Sequence, residues 1–265
     1  MLRFSVIVIM VLMHSVVLAQ YRAVYIPEDK LDKIQIDGDT TDWDWVSSDY
    51  FVNTKYMYDS QGYNQIDADD WKCKIIVGWN DISNRIYFLA IVKDDISNTD
   101  RKPEDYRFWL DDGVEIVFKQ NEFGKKYSIH YWFTPGNSLT EFGIYRGPSW
   151  LLDTKEYLKW GGKEYRAKDG SVITVYEMST VLWDYLSKED LHSSTEKQLS
   201  KSGKAMILFG FNDVDKIGDR REAKWVPYSQ SKMTNGGLPL SEFIFEYPLE
   251  EKTTWPLIDN LLAPE

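Results

Sequence analysis

An antiparallel β-sandwich, of jelly-roll or immunoglobulin-like type and in a single domain, is the fold this 265-residue sequence predicts. Three observations predict it. Short runs with a two-residue apolar alternation recur along the chain. Clusters of Gly, Asn and Asp separate them, as turns do. No long stretch carries the 3.6-residue apolar period of an amphipathic helix. The composition adds a fourth point: eleven Trp and seventeen Tyr supply the large, flat side chains that fill the space between two sheets. The same side chains stack on ligand rings, and composition does not separate the two uses.

Residues 1–19 read as a signal peptide rather than as part of the fold. Arg3 is the positive n-region, Phe4 to Val16 the apolar core, and Val17-Leu18-Ala19 the small-residue end. The run is short for a bilayer span, and no Cys follows the expected cut after Ala19 to carry a lipid. Residues 20–265 are then the folded domain, secreted or periplasmic, and no later stretch is apolar enough to cross a membrane. Loss of Arg3 leaves 30 basic and 42 acidic side chains, a formal charge of −12. An acidic surface repels phosphate backbones and anionic lipid heads, so nucleic acid and membrane partners are disfavoured. The single cysteine, Cys73, forms no intramolecular disulfide and sits among alternating apolar residues, where it reads as a buried, inert thiol. An exported chain without disulfides rests on its core or on bound metal.

The elements follow in order. Val24 to Ile36 alternates and stops at the turn Asp37-Gly38-Asp39. Trp71–Trp79 and Ile86–Val92 make a hairpin, the second strand apolar on both faces and so in mid-sheet. Lys93–Tyr106 is a polar excursion. Arg107–Phe118, RFWLDDGVEIVF, is the centre of the chain. Leu110, Val114, Ile116 and Phe118 form a core face, with Trp109 and Glu115 on the other. A straight strand would hold Trp109 and Glu115 about 20 Å apart, so a bend at Asp111-Asp112-Gly113 is expected. Tyr127–Thr134 is a strand whose His130 and Trp132 share the outer face with Glu115. Thr140–Trp150 and Tyr157–Tyr165 are shorter strands, and Val172–Met178 a longer one. Asp184–Lys204 is polar and weakly helical or disordered. Ala205–Phe211 is a central strand, 212–237 a long loop, and Leu240–Tyr247 the last strand.

Four of these stretches, in this order, resemble one family. They are Ile36-Asp37-Gly38-Asp39 with Asp42-Trp43; Val77-Gly78-Trp79-Asn80-Asp81 with Ile86–Ala90 and Val92-Lys93-Asp94-Asp95; Trp109-x-x-Asp112-x-Val114-Glu115-Ile116; and Tyr176-Glu177-Met178 with Trp183, Phe211-Asn212-Asp213 and Trp225. The family is the family 9 carbohydrate-binding module, within the DOMON-like sandwich superfamily. The resemblance spans nearly all of residues 20–265. It implies a non-catalytic sandwich that holds the ends of plant-wall sugars between two Trp plates, with structural calcium. Trp109 matches one plate and Glu115 the carboxylate that accepts sugar hydroxyls. Where the family has a basic residue and an Asn on the next strand, this chain has Trp132 and Thr134. Where the family has its second plate, this chain has Lys232-Met233-Thr234-Asn235. Trp132, Trp225 and Tyr228 are therefore added to the expected ligand-binding set.

Other chemistry is weighed on the same residues. No spacing singles out the carboxylate pair that glycoside hydrolysis needs, and Glu115 and Glu177 read as binding or filling residues. Asp94-Asp95 with Asp100, and Asp213-x-Asp215 with Asp219, are the candidate calcium ligands. Solvated loop acids are the alternative. Three His and one Cys make no zinc cluster. A haem held between His130 and Met178, Met206 or Met233 is the rival reading, an electron-transfer sandwich. A third is a structural or adhesive surface protein that has lost the sugar slot. The expected function is glycan capture in support of glycan degradation, with glycan-degrading enzymes as associates.

Overall fold

The structure, a computed structural model, describes residues 20–62, 65–67, 69–99, 107–119, 128–134, 141–215, 223–227, 234–235 and 238–247. In chain order the strands are β1 Gln20–Tyr25, β2 Val52–Asn53, β3 Met57–Asp59, β4 Trp71–Asn80, β5 Arg85–Asp94, β6 Gly113–Lys119, β7 Ser128–Thr134, β8 Glu141–Arg146 and β9 Leu158–Arg166. They continue with β10 Val172–Thr180, β11 Trp183–Tyr185, β12 Thr195–Glu196, β13 Lys204–Asp213, β14 Ala223–Pro227, β15 Thr234–Asn235, β16 Leu238–Pro239 and β17 Ser241–Glu246. One four-residue helix, α1 Glu28–Leu31, follows β1.

The ten principal strands form one continuous ladder, β8-β7-β6-β13-β17-β1-β4-β5-β10-β9. It folds over on itself. Phe88 of β5 meets Phe118 of β6 and Phe209 of β13 at ring-centre distances of 5.3 and 5.5 Å, and Phe133 of β7 meets Tyr176 of β10 at 6.2 Å. The two halves thus face each other across one apolar core, the arrangement of an all-β sandwich. The inward residues are the ones the alternation marks: Cys73, Ile75, Val77 and Trp79 on β4, and Val114, Ile116 and Phe118 on β6. Cys73 is buried there.

Both outer faces are also partly covered. Residues 26–51 lie over the back of β4, β5 and β10, where Trp43, Val46 and Tyr50 pack on Ile76, Leu89, Ile91 and Val175. This cover explains why β5 is apolar on both faces. Glu177, fully buried on β10, fastens it. Its carboxylate accepts hydrogen bonds from the Asp37 and Gly38 amides at 2.9 and 2.6 Å and from the Trp43 indole at 2.7 Å. Gly38, at φ +80°, takes a turn an L side chain resists, and a Cβ on Gly161 of β9 would stand 2.4 Å from the Ile36 carbonyl. The Asp37-Gly38 turn therefore lies flat on a glycine floor. On the other half, Val117, Leu208, Val226 and Leu240 form a smaller outer cluster.

Four expectations differ from what is found. β1 pairs in parallel with both β17 and β4, so the sheet is not purely antiparallel. Residues 34–36 are not a strand. Pro27 ends β1 by removing a donor, and the alternation at Ile34 and Ile36 reflects packing onto the back face. The stretch 184–204 holds no helix; β11 and β12 pair across it. Residues 212–237, expected as a loop, contain β14, which pairs with β13 and β3. Its alternation is masked by Lys224, a charged residue in a buried position. The expected bend at Asp111–Asp112 is present, between a 3-10 turn at Phe108–Leu110 and the start of β6 at Gly113. The expectations for residues 1–19 and for Asp100, Asp219, Tyr228 and Met233 lie outside the described residues.

Candidate functional site

Glu115 lies at the middle of a row that crosses four strands: Gly143 of β8, Trp132 of β7, Glu115 of β6 and Gly210 of β13. Residues opposite one another in a ladder project from the same face, so Trp132 stands beside Glu115 on the outer surface. His130 and Thr134 flank Trp132 on that face at two-residue spacing. On the other side of Glu115 the row has no side chain, and Lys224 of β14 uses that space. A Cβ on Gly210 would stand 2.6 Å from the Lys224 Cε.

Three donors converge on the Glu115 carboxylate. Lys224 Nζ donates to Oε2, His130 Nε2 lies 3.0 Å from the same oxygen, and Asn212 Nδ2 lies 3.4 Å from Oε1. Burial alone would push the Glu115 carboxyl up. The His130 hydrogen bond and the Lys224 charge overcome it and hold the carboxyl down at about 2. The group is therefore an ionised, oriented acceptor beneath the surface. Side-chain exposure rises from Glu115 (4%) through Lys224 (5%) to His130 (12%), and Trp132 is half-buried.

The other expected ligand residues fall elsewhere. Trp109 is half-buried in the 3-10 turn before the bend. Trp225 is a correction: it is 2% exposed on the inner face of β14, tilted against Trp71 at 5.6 Å, with its indole N–H on Asp213 Oδ2 at 2.8 Å. A ring this deeply buried is a core residue, not a plate for a sugar. Met178 is wholly buried in the inner core while His130 is on the outer face, so these two do not converge on a haem.

The acidic loops do converge. Asp94, Asp112 and Asp213 place carboxylate oxygens within 4.8 Å of one another and are all buried; Asp70, Asp95 and Asp215 form a second such group. Asp112 also ties two loops together, accepting from the Asn98 amide at 2.5 Å and the Val214 amide at 2.8 Å. Burial, then Asp112 and Asp213 nearby, push Asp94 up to about 9, and burial with Asp213 and Asp215 pushes Asp112 up as well. A cavity of about 10 Å³ opens beside Asp94 and Asp112, lined also by Ser97, Thr174, Tyr176 and Asn212. That is room for about one water or ion. Hard carboxylate oxygens at this density suit a divalent cation, calcium above all. Asp94, Asp95, Asp213 and Asp215 are those the sequence singles out. Asp70 and Asp112 are additions. Asp112 lies within a turn signal that concealed its second role, and Asp70 lies 24 residues before Asp94, too far for spacing to connect them.

Alternation puts His130 on the face of Glu115 without pairing the two, and no spacing in the sequence ties Lys224 or Asn212 to that carboxylate. Lys224 carried a usable signal, a lone charge in the apolar run Ala223–Pro227.

No protein-family profile matches this sequence, and neither does any curated protein. Solved structures do match. A family 9 carbohydrate-binding module from Caldicellulosiruptor kristjanssonii in complex with cellotriose superposes with a TM-score of 0.56 at 16% identity, over 87% of this chain and 95% of that one. A structure of a family 9 module from the same organism in complex with glucose gives 0.55 at 16% identity, over 88% and 98%. The chain thus has the fold of a family 9 carbohydrate-binding module.

Proposed function

We propose that this chain is an exported, non-catalytic glycan-binding protein whose ligand face is the outer surface of β6 and β7. The observation that carries this reading is the Trp132–Glu115 row. A half-buried indole, which can stack on the apolar face of a sugar ring, stands beside a fixed, ionised network that sugar hydroxyls can join. The like-folded modules that bind cellotriose and glucose support a sugar as the ligand class. Trp109 is a second plate in this reading, set at the bend before β6.

Absence of chemistry is part of the proposal. Glu115 and Glu177 lie on the two opposite outer faces, each held by its own partners, so they cannot flank one glycosidic bond. Calcium is proposed as a structural ion. Asp94, Asp112 and Asp213 would hold one ion and Asp70, Asp95 and Asp215 a second, neutralising carboxylates that otherwise repel. The role in glycan degradation is one of capture, with degrading enzymes as associates. Export through a cut after Ala19 belongs to the same proposal, and among the described residues no helix is long and apolar enough to cross a membrane.

Affinity electrophoresis of residues 20–265 through gels containing cellulose derivatives, xylan or mixed-linkage glucan tests the reading. Retardation by one polysaccharide, reduced in Trp132→Ala and Trp109→Ala, is the expected result. Unretarded migration through every gel would overturn it and favour a structural role for the fold.

A further inference from the structure

The exposure order at this site is the reverse of what a direct Glu115–sugar contact requires. Glu115 and Lys224 are nearly closed off, while His130 is the most exposed member of the charged network and sits two residues from Trp132 on the same face of β7. His130 is thus the more accessible of the two to a ring stacked on Trp132. Resting on the glycan-binding reading above, we propose that His130 is the polar residue that contacts the sugar, and that Glu115 and Lys224 are positioning residues that hold its imidazole from below.

The chemistry is specific. Glu115 is acceptor-only, so His130 Nε2 carries a proton and donates it to Oε2 at 3.0 Å. That bond settles which nitrogen faces the carboxylate and fixes the ring plane. A hydroxyl, being both donor and acceptor, can pair with the imidazole in either charge state. Lys224 keeps Glu115 in place. Its ammonium occupies the other approach to Oε2, and it reaches there only because Gly210 has no side chain. Asn212 steadies the second oxygen. In sheet order each of four strands contributes one part: β7 the contact residue, β6 the anchor, β13 the gap and β14 the counter-charge.

Lys224 of β14 and Asn212 of β13 hold the carboxylate from beneath, which leaves the outer positions of β7 to the indole and the imidazole.

The test is titration of residues 20–265 with cellotriose, glucose and xylobiose at pH 8, for wild type, Trp132→Ala, His130→Ala, His130→Gln, Lys224→Met and Glu115→Gln. His130→Ala is expected to weaken the best ligand about tenfold or more, the worth of one good hydrogen bond, and to lower the melting temperature only modestly, since Lys224 and Asn212 still hold the Glu115 carboxylate. His130→Gln should recover part of the loss. Nitrogen-15 spectra of the His130 ring supply a readout independent of ligand. Wild type should show the Nε2-protonated form, and Glu115→Gln a mixture. Binding that Trp132→Ala abolishes and His130→Ala leaves intact would overturn this proposal while preserving the glycan reading. Wild type binding none of the sugars would overturn both.

Discussion

Lys224 is the residue on which the site's electrostatics turn. A buried carboxylate left without its ammonium is costly, so Lys224→Ala should destabilise the fold by about 3 kcal/mol. Replacing both partners, Glu115→Met with Lys224→Met, should cost much less, since two apolar groups leave no stranded charge. Chemical denaturation of the two variants checks the ordering; equal losses in the single and double variants would contradict the pairing. Gly210→Ala tests the same geometry from the other side. Its methyl would stand where the Lys224 stem passes, so the Glu115 carboxyl, held at about 2, should titrate closer to its usual range. Carbon-13 titration of the carboxyl reads this directly. At this scale the sequence was half legible. Alternation placed Glu115, His130 and Trp132 on one face, because a two-residue period is a local property of a strand. It does not reach Lys224, whose partner is 109 residues away, or Trp225, which the sequence reading leaves in a loop and the structure buries on a five-residue strand.

Among the elements, the strands that read well are those whose two faces differ or are both apolar. β4, β5, β10 and β13 fall within a few residues of the expected runs, and β6 is the second half of its run, beyond the expected bend. The segment 26–51 reads poorly, because its apolar residues pack on a sheet rather than repeat with a period. Its attachment depends on Glu177 and on the glycine floor. Trp43→Phe keeps an aromatic ring, though a smaller one, and removes the indole N–H from a buried carboxylate, a loss that should by itself cost about 1–3 kcal/mol. Gly161→Val should cost at least as much, since its Cβ would strike the Ile36 carbonyl, a backbone atom that cannot swing aside. Hydrogen exchange localises the effect: amides of 37–50 should lose protection before those of β4 and β5. Uniform loss across the sheet would show that the segment is not separately attached.

For the whole molecule, buried acids tie stability to pH and to calcium. Asp94 sits at about 9 and Glu177 at about 8, both pushed up first by burial, and Asp112 is raised with them. A carboxyl whose folded value lies above its unfolded value binds more protons when folded. Its stabilising effect is therefore complete below about pH 4 and is lost as pH rises toward 8 to 9. Glu115, held down at about 2, works the other way: its contribution is present above about pH 4.5 and disappears as pH falls toward 2. Without calcium, the chain should melt at a higher temperature at pH 5 than at pH 8. Calcium replaces protons at the Asp triads, so its effect should be larger at pH 8, about 5–10 °C at a hundredfold excess over Kd. Identical melting curves at pH 8 with calcium and with chelator would contradict the proposed ion sites. The convergence of Asp70 and Asp112 with the other four acids was not readable from spacing, since it is made by the closing of the sandwich.

The central claim is that a sugar binds on the Trp132 face, and isothermal titration of residues 20–265 with glucose, cellobiose, cellotriose, xylose and xylobiose in calcium-containing buffer tests it most directly. The account predicts saturable heat with at least one of them and its loss in Trp132→Ala, with the variant's melting temperature preserved. A folded wild-type protein that takes up none of these sugars, or one whose binding Trp132→Ala leaves unchanged, would contradict it.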